Sequence, residues 1–365
     1  MDFGLNEEQE LLKTTVRRFL TDRCPTTRVR EIMETDTGHD ESLWAGLVEL
    51  GVTALLVPEQ YGGLGSELLE LALISEELGY GAAPGPFLGN AMATVALTEG
   101  LADGGDANVI GPWLERIGAG EALGTVAIGE DDGIWSADKL STKAGGGRLT
   151  GSKPLVPYAA ASDVLVVAAR DDSGPGLWLV ETGSDGVETV SLEGSDMTRR
   201  LDAVTFADAP AVKVGGAEAL SRTFDAGLIL LAADAYGGAS RCLEMTCQYA
   251  LEREQFGQVI GAFQAVKHQL ADMASRLEPS LSMYWYAAHA FDHLKDEVPR
   301  HAAMVKAYLA DLYDLVARES TELHGGIGFT WEFDLHLWFR RAIFDRSYLG
   351  EAAYHRARAA DLAGW

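Results

Sequence analysis

LEREQFGQVIGAFQAVKHQLADM, residues Leu251 to Met273, is charged and helical up to Glu254. It breaks at Phe256-Gly257 and resumes as a helix through Phe263, Gln264 and Val266. Two explanations fit an Arg, two Gln and a Phe around a glycine hinge between helices. In one, Phe256 plugs a core and Arg253 is solvated. In the other, the hinge is a docking edge for a flat, polyphosphorylated ligand.

Working outward, the stretch sits in a helical block, residues 215–365. Four long segments carry apolar residues at three- and four-residue spacing, as in a four-helix bundle: Ala217–Leu251, Phe263–Leu294, Pro299–Leu323 and Trp331–Leu362. Before it, residues 123–214 change period. TVAIG, DVLVVAAR, GLWLVET, VETVSL and DAVTFAD are short β-branched runs, the pattern of an antiparallel β domain. Gly145-Gly146-Gly147 and Gly174-Pro175-Gly176 read as turns, and no GxGxxG follows a strand, so a Rossmann nucleotide site is unsupported. The first block, residues 1–122, is again helical. Leu11, Leu12, Val16, Phe19 and Leu20 recur on one face, and Asn6 with Gln9 predicts an N-terminal cap. DESLWAGLVELG reads as a helix stopped by Gly51, and SELLELALISEELG as one stopped by Gly79. The expected class is α+β: helical domain, antiparallel β domain, helical bundle.

Composition bounds the function. With 365 residues, 47% of them hydrophobic, the chain can bury a large core. A net charge of −26 disfavours nucleic acid and anionic membrane, though one local Arg can reverse the field in a pocket. The most apolar run, GLILLAA at Gly227–Ala233, is too short to span a bilayer. Three cysteines without a CxxC pair fit a reducing cytoplasm, and the acidic start MDFGLNEEQE does not read as a signal peptide. No metal site is expected: His324 has no second His, Cys or carboxylate at ligand spacing on its turn.

Helices, a β domain, then a bundle carrying R-x-Q-F-G (Arg253–Gly257) and H-G-G-I-G (His324–Gly328) resemble the acyl-CoA dehydrogenase family. MDFGLNEEQELL, LWAGLVELGVTALLVPEQYGGLGSELLELALISEELG and ELHGGIGFTWEFDLHLWFRRA extend the likeness across nearly the whole chain. The resemblance implies FAD lying extended between subunits, its adenine end held by the neighbouring chain. Arg253 would pair with the pyrophosphate, Gln255 and Gln264 would offer hydrogen bonds, and Phe256 would pack on the adenosine half. Gly325 and Gly326 would let backbone amides approach closely, with His324 positioned beside them. Glu322 replaces the family's usual Gln and would turn outward or meet ribose hydroxyls.

The family removes a proton next to an acyl-CoA thioester with a glutamate and passes hydride to the flavin. Here the two positions that carry that glutamate hold Leu349 and Gly227. Asp225 and Glu351 lie two residues from those positions; at roughly 100° per helical residue they point almost opposite. Asp234 is nearly two turns along. The family's T-E-P-x-x-G-S-D loop reads IGEDDGIWS, and its W-I-T-N strand reads Leu155, Val156, Pro157, Tyr158. Motifs for the flavin ring have decayed while motifs for the adenine end are retained. The resemblance therefore implies the base-lacking chain of an α2β2 acyl-CoA dehydrogenase of the steroid side-chain β-oxidation type. Its partner would be a related glutamate-bearing chain, its electron acceptor an electron-transfer flavoprotein. The alternatives are a complete homotetramer with Asp225 or Asp234 as displaced base, and a flavin-free scaffold.

Overall fold

The computed structural model describes residues 4–130, 135 and 137–365. It opens with α1 (Glu7–Arg23), α2 (Thr26–Met33) and α3 (Glu41–Glu49). The expected cap forms: Asn6 Oδ1 accepts the Gln9 N–H at 2.9 Å, and Gln9 Oε1 accepts the Asn6 N–H at 3.0 Å. Val16 and Leu20 are buried, but Leu11 is 67% exposed. Nine helical residues at roughly 100° each place Leu11 half a turn from Leu20, so it leaves the expected face.

Asp40 caps α3, its Oδ1 accepting the N–H groups of Ser42 (2.8 Å) and Leu43 (3.0 Å). Burial would raise its pKa, but the Ser42, Leu43 and Arg28 donors hold it at about 2. Asp40→Ala is expected to cost about 1 kcal/mol. A depressed carboxylate stabilises fully above its unfolded pKa near 4 and loses that contribution as pH falls through its folded value. Urea unfolding of wild type and variant should therefore differ at pH 7 and converge near pH 2.

Next come α4 (Leu68–Tyr80), α5 (Phe87–Ala102) and α6 (Ala107–Gly118). Gly51, at φ +78°, follows the end of α3 as expected. Gly79 does not stop α4, which runs on to Tyr80. A Cβ on Gly79 would sit 2.1 Å from the Asp234 carbonyl oxygen, and one on Gly237 would sit 1.9 Å from that of Glu76. These glycines instead let α4 and α7 (Ala217–Glu252) cross at close range.

The sheet holds β1 (Gly124–Ala127), β2 (Lys143–Gly145), β3 (Arg148–Pro157), β4 (Val164–Asp171), β5 (Gly174–Glu181), β6 (Val187–Ser191), β7 (Leu201–Pro210) and β8 (Val212–Gly215). Their order is β6-β7-β3-β2-β4-β5-β8, with β1 paired to β4. Most pairs are antiparallel; β1–β4 and β2–β4 are parallel. Gly146 and Gly147, both at positive φ, turn β2 into β3. Gly174-Pro175-Gly176 starts β5 rather than forming a turn, because Asp171 Oδ1 accepts the Ser173 N–H at 2.8 Å and closes the turn before it. Along β4, Val164, Val166 and Ala168 face the helices while Leu165, Val167 and Ala169 fill a second core with Trp178, Val204 and Phe206.

After α7, a two-stranded hairpin of β9 (Glu254–Gln255) and β10 (Gln258–Val259) leads into α8 (Gln264–Leu277). The rest is α9 (Ser280–His293), α10 (Val298–His324), α11 (Leu335–Ser347) and α12 (Ala352–Leu362). Two of the four expected segments are thus broken. Pro279 separates α8 from α9, and Leu349 and Gly350, both at positive φ, separate α11 from α12. Where these layers meet lies a buried ionic cluster. Asp234 on α7 accepts two bonds from Arg341 on α11 (2.8 and 2.5 Å) and one from Arg199, which precedes β7 (2.5 Å). Arg341 also donates to the Ala83 carbonyl at 3.0 Å, joining the segment before α5. Among the described residues, no helix is long and apolar enough to cross a membrane.

Candidate functional site

The glycine hinge read from the sequence is a β hairpin. Phe256 and Gly257 form its two-residue tip at φ +54° and +80°. Phe256 is 93% exposed, so it plugs no core, and its ring meets Phe263 edge-on at 6.2 Å. A bulky aromatic residue held in the left-handed region and pointed at water is costly at two levels, backbone and surface. Arg253 is exposed and its guanidinium has no partner among the described residues. Gln255 is exposed, its Nε2 donating to the Glu254 carbonyl at 2.8 Å. Gln264 is the first residue of α8, and no side chain caps the N–H groups of that helix's first turn. The positive end of a helix dipole therefore lies open to solvent within a dozen residues of an unpaired guanidinium.

The structure brings the second motif to the same end. Tyr249, near the end of α7, stacks on His324, at the end of α10, with centroids 4.3 Å apart. Its hydroxyl donates to the His324 carbonyl at 3.3 Å. His324 is buried, its Nδ1–H donating to the Ser320 carbonyl at 2.7 Å, and burial lowers its pKa. It is a neutral packing residue. Glu322, Gly325 and Gly326 are exposed. Gly325, at φ +64° and ψ −144°, needs glycine for its backbone. Gly326 has an ordinary φ, and a Cβ there would meet nothing within 4 Å. Its own chain gives no reason for glycine. Around these residues Leu251, Ile327, Phe329 and Trp331 are also exposed, Phe329 to 73%. The surface suits a planar, phosphate-bearing ligand.

The other end of the candidate site is filled. Gly227 and Leu349, far apart in sequence, converge: a Cβ on Gly227 would lie 2.7 Å from Leu349 Cδ1 and 2.5 Å from Met92 Cε. Leu349 and Met92 are fully buried, so the shared point is dry and apolar. Nearby, Trp135 packs edge-on against Tyr348 at 5.2 Å, and Tyr348 stacks on Phe344 at 5.1 Å. The cavity beside them, lined among others by Ile128, Trp135, Phe224, Tyr354 and Arg358, measures ≈180 Å³ among the described residues. Ligand pockets usually exceed about 300 Å³. A larger groove of ≈610 Å³ lies at the far end of the bundle, where Met304, Tyr308 and Trp365 line it, and touches none of the residues singled out from sequence.

Of the acids weighed as substitutes, Asp234 and Asp225 are paired with arginines. In Asp234, burial alone would raise the pKa, but Arg341 and Arg199 hold it below the usual range. Asp225 is buried; burial pushes its pKa up and Arg358, 2.7 Å away, opposes this. Glu351 is exposed at the start of α12. Of the IGEDDGIWS loop, Asp131–Ile134 and Ser136 lie outside the described residues. Its Glu130 pairs with buried Lys153 at 2.8 Å. On β3, Pro157 brings neither N–H nor hydroxyl. Tyr158 is buried, its hydroxyl accepting the Gly85 N–H at 3.1 Å. Sequence reasoning did not single out Met92 or Trp135, the two plugs. An aromatic residue inside an acidic, glycine-bearing loop was the available signal for Trp135.

Residues 6–121 match the family description "Acyl-CoA dehydrogenase, N-terminal domain", and residues 215–363 match "Acyl-CoA dehydrogenase, C-terminal domain". Acyl-CoA dehydrogenase IpdE2 of Mycobacterium tuberculosis is 31% identical over 92% of this chain and 91% of its own length. A variant of the steroid ACAD Tcur3481-Tcur3483 superposes with a TM-score of 0.90 at 31% identity, covering 98% of both chains. A chain of the ChsE4-ChsE5 complex from Mycobacterium tuberculosis gives a TM-score of 0.91 at 27% identity, covering 100% of this chain and 99% of its own.

Proposed function

The chain belongs to the acyl-CoA dehydrogenase family, and from that premise we propose that it is the subunit of an α2β2 complex that clasps the adenine end of FAD and carries no base. The observation that carries this reading is the contrast between the two ends of the site. The clasp end presents unpaired Arg253, an uncapped α8 N-terminus, outward Phe256 and an unconstrained Gly326. The base position is packed solid by Leu349 and Met92. Arg253 and the α8 N–H groups would hold the pyrophosphate, and Phe256 would cover the adenosine. Bound FAD supplies the hydride acceptor for α,β-dehydrogenation of an acyl-CoA thioester. The glutamate and the ring pocket would come from a related neighbouring chain. The steroid ACAD and the ChsE4-ChsE5 complex among its structural relatives support a bulky, steroid-type acyl-CoA and a paired assembly. An electron-transfer flavoprotein would reoxidise the flavin.

The experiment is co-expression with a glutamate-bearing homologue, followed by native mass measurement and flavin quantification. Two FAD per tetramer are expected. Arg253→Ala should weaken FAD binding by about 1.5–3 kcal/mol, roughly 10–150-fold. Gly326→Ala should lower flavin content while leaving the melting temperature of the apoprotein unchanged, since no atom of the chain stands in its way. Full flavin occupancy in both variants would overturn the clasp. A yellow homotetramer with four FAD would favour the second reading, a complete enzyme using Asp225. That reading rests on one observation: Asp225 is a buried acid with a raised pKa, joined to Arg358 at the cavity wall.

A further inference from the structure

His289 and His293 stand one helical turn apart near the end of α9, on one face of the helix. Their rings lie 4.4 Å apart, centroid to centroid. Facing them is Glu67, the residue immediately before α4, whose Oε1 is 2.8 Å from His293 Nε2. One donor atom from each of the three residues lies within 4.8 Å of the others. Glu67 and His293 are separated by 226 positions in the chain, so this juxtaposition is made by the fold and not by local sequence. From the sequence no metal site is expected and only His324 is weighed; the HAFDH spacing is in plain view, but the third side chain of this group comes from another layer.

We propose that Glu67, His289 and His293 form a binding site for a divalent cation of the zinc class. Two imidazole nitrogens and one carboxylate oxygen are the donor set of a three-ligand zinc site, which leaves a fourth position for water. Imidazole donors select Zn²⁺ and its neighbours over Ca²⁺ and Mg²⁺, which take oxygen ligands. Bonds of about 2.0–2.2 Å to a shared tetrahedral ion put donors roughly 3.4 Å apart. The three side chains therefore need only small rotations about their own bonds, the Glu67–His293 pair opening slightly from 2.8 Å. Charge favours the ion as well. Asp292, between the two histidines, presents a second carboxylate to the same corner, its Oδ2 accepting the Leu68 N–H at 2.8 Å. A dication held by Glu67 would sit beside this second negative charge, since Asp292 binds the residue next to Glu67.

The consequence is mechanical. Glu67 ends the Pro/Gly loop that begins at Val57, and His293 ends α9. A bound ion would cross-link the start of α4 to the bundle and close a loop of more than 200 residues in the unfolded chain. The site lies outside the clasp and the base position, so it stands or falls independently of the proposed reaction.

The test uses the full-length protein, stripped with a chelator and titrated with Zn²⁺ against a chromogenic zinc indicator. One equivalent per chain is expected. His289→Asn and His293→Asn should each weaken binding at least 10-fold, as losses even outside the inner coordination sphere do. Zn²⁺ should raise the melting temperature of wild type and not that of the doubly substituted chain, while Mg²⁺ raises neither. Glu67→Gln serves as the third arm, since it keeps the shape and removes the charge. Absence of stoichiometric Zn²⁺ binding, or binding and stabilisation that persist in the double variant, overturns the site.

Discussion

Arg341→Met destabilises the fold by about 3–5 kcal/mol, the cost of stripping one partner from a buried ion pair. Arg341 is fully buried and grips both oxygens of Asp234. Methionine fills the space but leaves Arg199 as the one cation paired with Asp234 among the described residues, next to two further buried aspartates, Asp196 and Asp345. Three segments lose a common anchor: α7, α11 and the turn at Ala83. The pH dependence has two opposing signs. The folded pKa of Asp234 is depressed, so its contribution is full above the unfolded value near 3.9 and is lost as pH falls through the folded value. Asp345 is pushed well up by burial and by the charge of Asp234. It holds a proton that the unfolded chain releases, so its effect erodes stability as pH climbs from about 3.9. The substitution removes mainly the Asp234 slope, so its cost should be larger at pH 7 than at pH 3. Urea unfolding at both pH values measures this. A cost below about 1 kcal/mol at pH 7 would assign the cluster a marginal part in stability.

The second large effect is catalytic. This chain alone should oxidise acyl-CoA about 10²–10⁴-fold more slowly than its complex with a glutamate-bearing homologue, the usual contribution of a positioned general base. Within the complex, replacing the partner's glutamate by glutamine should bring the rate down to that of the single chain. Asp225→Asn in this chain should leave turnover within a small factor, because its carboxylate is engaged by Arg358. Steady-state turnover with a steroid-type acyl-CoA and an artificial electron acceptor reads all three. Strong loss in Asp225→Asn, with none from the partner's glutamate, would hand the base to this chain.

Periodicity carried most of the architecture. The five β-branched runs fall on β1, β4, β5, β6 and β7, since enrichment in β-branched residues between turn residues is a local property. What was missed has non-local causes. Strand β3 is interrupted by Gly151, Lys153 and Pro154, and its pairing with β2 and β7, with Lys153 buried against Glu130, makes it a strand of the interior. Gly79 reads as a helix stop until α7 is laid across it. The breaks at Pro279 and Leu349 sit within apolar helical periodicity that continues on both sides. For the site, Arg253 and Gly326 could be named from motifs, but Met92 could not, because its relevance is a contact with two positions far away in the chain. Glu67 could not be placed beside His289 and His293 for the same reason.

Because the hydrogen of Gly227 points at the methyl of Leu349, the two positions compete for one volume. A side chain entering it from α7 displaces the one entering from the bend before α12. Across homologues this predicts mutual exclusion: a large residue at 349 together with glycine at 227, or the reverse. A lineage could therefore move its carboxylate from one backbone to the other by two substitutions, passing through a form like this one, in which neither position bears an acid. On the proposed reading, such a form would persist beside a sister chain that kept the acid.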